Sequence, residues 1–130
     1  MPVTTVATSY GYRCELDGAL SPAEARAWFE DIKRMVGVKR SYCQLIDLRK
    51  SSTHPPDTSA VIQEIMQWNK AHGMQRSAII LASATMKMQT GRMTRNTASE
   101  NHERFFDASD PGWEKKAIAW LERAVDPDKQ

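Results

Sequence analysis

The hydrophobic pattern of this chain switches repeatedly between the two-residue period of strands and the wider period of helices, and the switches mark its elements. Val3-Thr-Thr-Val-Ala-Thr8 is rich in β-branched residues. After Gly11 the segment Tyr12 to Asp17 sets Tyr12, Cys14 and Leu16 against Arg13, Glu15 and Asp17, which predicts an N-terminal hairpin with one packed face. Gly18 breaks the strand. Ser21-Pro-Ala-Glu24 then supplies a capping box with proline at the first helical position, opening a helix to about Val36 whose inner face is Ala25, Trp28, Phe29, Ile32 and Val36. Ser41-Tyr-Cys-Gln-Leu-Ile-Asp-Leu48 is a short apolar run suited to a strand buried on both faces. From Val61 the apolar residues Val61, Ile62, Ile65, Met66 and Trp68 recur as the stripe of a helix lying on a sheet, capped by Asp57 and ended near His72 by Gly73.

Ser77-Ala-Ile-Ile-Leu-Ala82 reads as another buried strand, and Ser83 caps a predicted helix from Ala84 to about Ala98. Met86 and Met93 share one arc of that helix, and Lys87, Arg92 and Arg95 fall opposite. Glu103 to Asp107 is a short last strand. Ser109 or Asp110 then caps, and Pro111 starts, a final helix with Trp113, Ala117, Trp120, Leu121 and Ala124 on its inner face. The order β-β-α-β-α-β-α-β-α predicts one α/β domain over residues 1–130, a mixed sheet of about five strands carrying about four helices.

Composition narrows this picture. With 130 residues the chain can bury a core without staples, and the two cysteines, Cys14 and Cys43, show neither a CxxC nor a partner spacing. Both read as reduced core thiols of a cytoplasmic protein. No apolar run approaches a membrane span, and the start lacks the features of a signal peptide. Eighteen Lys and Arg against sixteen Asp and Glu is too even a balance for a nucleic-acid partner to be argued from net charge.

Candidate chemistry gathers at the strand-to-helix junction from Asp47 to Ala60, because ligands and partners meet α/β sheets at the carboxyl ends of parallel strands. Asp47, a carboxylate inside an apolar strand, is expected to pair with Arg49. His54 lies beside Ser51, Ser52 and Thr53, and Thr58 and Ser59 fall in a first helical turn, where hydroxyls cap and where a phosphate would meet free amides. A hydrolase using His54 is the weakest reading, since the histidines are scattered and there is no GxSxG or HExxH. No metal-ligand spacing and no phosphate loop is present, so neither metal nor cofactor is expected. The seven methionines include Met35, Met66, Met86, Met88 and Met93, adaptable linings for an apolar pocket as well as ordinary core.

Several of these segments resemble the STAS domain. Leu16-Asp-Gly-Ala-Leu-Ser21 is similar to the turn that ends its second strand. Ile46-Asp-Leu48 with Asp57-Thr-Ser-Ala60 is similar to the "L-D-L … D-S-S-G" segment of anti-sigma-factor antagonists, Ala60 standing in place of glycine. Arg104-Phe-Phe-Asp107 and Ala117-Ile-Ala-Trp-Leu121 look like the closing strand and helix of the SpoIIAA-like (STAS/SEC14) branch. The antagonist resemblance implies Thr58 as a phosphoacceptor and a protein partner such as a kinase or anti-sigma-like regulator. The SpoIIAA-like branch implies a small apolar or lipid-like ligand.

The expected function is therefore non-enzymatic: a regulatory domain contacting a protein through Asp47, Arg49, His54, Asp57 and Ser59. The alternative is a carrier whose pocket, between the sheet and the helix from Ala84, is lined by Met86 and Met93 with Arg92 or Arg95 at its mouth. Self-association is left open by the sequence.

Overall fold

The computed structural model describes residues 2–82 and 102–127. Its centre is a five-stranded sheet in sequence order, β1 (Val3–Ala7), β2 (Gly11–Gly18), β3 (Tyr42–Ser51), β4 (Met74–Leu81) and β5 (Glu103–Asp107). β1 and β2 form the predicted antiparallel hairpin, and every later pairing is parallel. Gly11 is required at the hairpin's return: its φ is +149°, and a β-carbon there would stand 2.0 Å from the Cys43 carbonyl oxygen.

Three helices are present among the described residues: α1 (Pro22–Val36), α2 (Pro56–Ala71) and α3 (Trp113–Arg123). The fourth, expected over 84–98, lies outside them. α1 begins as predicted, with the Glu24 amide donating to Ser21 Oγ at 3.1 Å and the Ser21 amide donating to Glu24 Oε1 at 2.8 Å. α2 corrects the expected start. Its N-cap is Pro55, without a side-chain cap, and Pro56 takes the first helical position, leaving Asp57 within the first turn. Proline suits that position because its missing amide would be unpaired there in any case. The C-cap is His72, not Gly73. α3 is capped by Gly112, and the Asp110 carboxylate instead accepts from the Gly112 amide at 3.0 Å and Lys116 Nζ at 2.6 Å.

The side-chain period of two divides β3 between two cores. Tyr42, Gln44, Ile46 and Leu48 face α1 and α2, where Tyr12, Cys14, Leu16, Leu20, Trp28, Ile32, Val61 and Ile65 pack. Cys43 and Leu45 face α3, against Ala78, Ile80, Phe106, Ala117, Trp120 and Leu121. Trp120 is held there by its indole N–H donating to the Ser77 carbonyl at 3.1 Å, and the Arg104 guanidinium lies 4.8 Å from its ring centre.

Candidate functional site

The junction between β3 and α2 does not present its residues as one surface. Asp47, 5 % exposed, lies on the α3 face and accepts from Arg49 Nε at 3.0 Å, Arg49 Nη2 at 2.6 Å and the Arg49 amide at 3.0 Å. The exposed Arg49 guanidinium pairs with the carboxylate along its N–H edge and sits 4.8 Å from the Trp113 ring centre. Burial pushes the Asp47 carboxyl up, but the Arg49 hydrogen bonds and charge, with Arg13 behind them, outweigh it and hold Asp47 below the usual carboxylate range. The pairing expected from the sequence is what the structure contains.

His54 and Thr58 lie at the other face and converge on one residue. The Leu20 amide donates to His54 Nδ1 at 3.0 Å, and Thr58 Oγ1 donates to the Leu20 carbonyl at 2.7 Å. With the Ser52 amide donating to the Gly18 carbonyl at 3.1 Å, the loop after β3 is stitched to the loop after β2. Because Nδ1 accepts, the proton of the neutral ring is on Nε2, 3.4 Å from Ser51 Oγ. Burial lowers the His54 pKa. Thr58 is 0 % exposed. Its hydroxyl is therefore not a surface phosphoacceptor in this structure, since a kinase could reach it only after the Leu20 bond and the first turn of α2 had opened. Asp57 and Ser59 are exposed beside it.

A cleft of about 310 Å³ runs between α2 and the sheet. Trp28 of α1, Ile62, Ile65 and Met66 of α2, Ile46 and Leu48 of β3, Ile79 of β4 and Phe105 of β5 form its apolar walls, and His54 and Ser59 stand at its α2 N-terminal end. Gln44, Gln63, Asn69 and Glu103 add a few polar groups. Gln44, Gln63, Met66 and Glu103 also line an adjoining, more polar cleft of about 350 Å³ with Gln67, Lys70 and His102. Of the methionines named from the sequence, Met66 lines both clefts, whereas Met86, Arg92, Met93 and Arg95 lie outside the described residues.

Beneath the cleft lies a buried polar network. Tyr12 Oη donates to Gln44 Oε1 at 2.5 Å, Gln44 Nε2 donates to Ser77 Oγ at 2.9 Å, and Tyr42 Oη donates to Asn69 Oδ1 at 2.6 Å. Burial, with Cys14 and Tyr42 adding to it, pushes the Tyr12 phenol well up, and burial raises Tyr42 to about 12, so both stay protonated donors near neutral pH. Asn69 Nδ2, near enough to the Tyr12 hydroxyl to favour its ionised form, completes no hydrogen bond with it and has no other partner among the described residues. Two signals in the sequence mark this network: Gln44 is a polar residue inside a buried apolar run, and Asn69 continues the spacing of Val61 and Ile65. Among the described residues, no cluster of His, Cys, Asp or Glu is arranged to hold a metal ion, and no helix is long and apolar enough to cross a membrane.

A sheet of this order and pairing, with α1 and α2 on one face and α3 on the other, has a SpoIIAA-like fold. The chain is similar to an uncharacterised protein from the DUF3478 family with a SpoIIAA-like fold, from Shewanella loihica PV-4, whose crystal structure aligns with a TM-score of 0.70 over 92% of this chain and 91% of that one. The two are 15% identical, so the likeness is one of fold. No protein-family model and no curated protein sequence matches the chain.

Proposed function

We propose that this protein is a non-enzymatic binding domain that holds a small, mainly apolar ligand in the cleft between α2 and the sheet. The observation that carries the reading is the lining itself. Aliphatic and aromatic walls with a few fixed polar groups, in a volume of about 310 Å³, are the anatomy of a small-molecule site. The junction's own side chains support the same reading, because Asp47, Arg49, His54 and Thr58 all spend hydrogen bonds within the protein, Arg49 doing so at its surface. In particular His54 Nδ1, the atom a general base would use, accepts from a backbone amide, which counts against hydrolysis.

Binding of the uncharged fluorophore N-phenylnaphthylamine, displaced by long-chain alcohols, tests this. Ile62→Trp fills the cleft from α2 and should abolish the signal while thermal unfolding shows the fold retained. Equal binding by wild type and Ile62→Trp would place the probe elsewhere and remove the proposal. The protein-contact reading keeps one observation in its favour, the exposure of Asp57 and Ser59 at the start of α2. A phosphoswitch there would use Ser59, whose side chain is accessible, in place of the buried Thr58.

A further inference from the structure

We infer that His54 is a proton-operated latch on this cleft: its neutral ring pins Leu20 and so fixes the loop after β2 against the loop after β3, and its protonation releases them and the ligand. The inference rests on the binding reading above and adds the control of that site.

The geometry permits little else. Leu20 lies in the loop between β2 and α1, 1 % exposed in the core, and both of its backbone polar groups are spent on the junction, the amide on His54 and the carbonyl on Thr58. The two bonds differ in kind. A threonine hydroxyl donates at any pH, whereas imidazole accepts at Nδ1 only while neutral. Once protonated, the ring turns an N–H towards the Leu20 N–H, so the bond is lost and two donors oppose each other. The Leu20 amide must then find another acceptor, which a buried backbone does not offer without movement. His54 itself lines the cleft, and Leu16 and Trp28, on either side of the Leu20 loop, line it too. Freeing that loop therefore loosens the wall of the site.

The surroundings do not hold the extra charge in place. Among the described residues the ring nitrogens face only the Leu20 amide and the Ser51 hydroxyl. The charged groups on the packed elements, Asp17 of β2, Lys50 of β3, Glu24 of α1 and Asp57 of α2, are exposed, and solvent screens them from the ring. Glu103 lies at the other end of the cleft, in register with Ser77 and thus with Gln44.

Two readouts on the intact protein test the latch and the site separately. The first is the hydrogen-exchange protection factor of the Leu20 amide, corrected for intrinsic rate, and the second is the dissociation rate of N-phenylnaphthylamine. Because burial holds the folded ring below the ordinary histidine range, the acid arm must run well under it: between about pH 7.5 and about pH 4.5 the wild type should lose Leu20 protection, and probe release should quicken by about tenfold, the scale of one hydrogen bond. His54→Gln, which does not titrate, should flatten both profiles. His72→Gln, on the far end of α2, should leave both pH responses in place. Unchanged Leu20 protection in acidified wild type, or an undiminished acid response in His54→Gln, overturns the latch. If Leu20 responds but no probe binds at any pH, the binding reading has failed, and the gate fails with it.

Discussion

Thr58 shows how a residue's role can invert between its sequence context and its structure. In the chain it is a hydroxyl in a first helical turn, the ordinary place for a cap or a modification. In the fold its hydroxyl is a buried tether to the carbonyl of a residue 38 positions away. Thr58→Val keeps the shape and removes the hydroxyl, leaving the Leu20 carbonyl unsatisfied, and should cost ~1–3 kcal/mol in a urea titration. Thr58→Ser should recover most of that loss. Equal midpoints for Thr58→Val and wild type would show that the tether carries no stability. No local pattern could have revealed it, because the partner is on another loop.

His54 adds a pH dependence whose sign follows from its lowered pKa. The unfolded histidine titrates near ~6.5 and the folded one below that, so within this window the unfolded state binds more protons. Stability is then complete above the unfolded value and falls as the pH drops towards the folded value, below which the loss is full. Urea midpoints measured across this range should decline on acidification in the wild type, and less so in His54→Gln. A wild-type profile that rises on acidification would contradict the structure.

At the scale of elements, legibility followed locality. α1 was readable to its first residue because the capping box, the proline and the inner face are all neighbours in sequence. α2 and α3 were readable as helices but not at their starts. Asp57 and Asp110 each offer capping chemistry, yet α2 begins earlier at Pro56, and Asp110 turns its carboxylate to Gly112 and Lys116. The anchoring of α3 can be tested directly. Trp120 is 6 % exposed, donates to the Ser77 carbonyl and lies beneath the Arg104 guanidinium. Trp120→Ala should cost ~3–5 kcal/mol, a large part of the ~5–15 kcal/mol that holds a domain together. Ser21→Ala, which breaks the capping box of α1, should cost ~0.5–2 kcal/mol. Comparable losses for both would mean that the α3 face is not the closed core seen here.

Over the whole molecule, the crossover from β3 to α2 explains why the candidate site was only half legible. The sequence presents Asp47 to Ser59 as one continuous stretch, and linear proximity suggests one surface. Asp47 and Arg49, two apart in β3, share its α3 face, whereas the chain leaves the strand after Ser51 and crosses to the opposite face, so that His54 in the connecting loop and Thr58 in α2 fall on the α1 and α2 side. The cleft was illegible for the complementary reason. Its walls come from Trp28, Ile46, Ile62, Ile79 and Phe105, on five different elements, each of which reads alone as ordinary core.

The central claim is that this cleft binds, and the most direct measurement is a backbone-amide NMR titration with an uncharged long-chain alcohol. Saturable shifts are expected on Ile62, Ile65, Met66, Asn69, Ile79 and Phe105, with Cys43, Leu45, Ala117 and Leu121 on the α3 face unmoved. Shifts gathered on the α3 face, or none up to the solubility limit of every alcohol tried, would contradict the account.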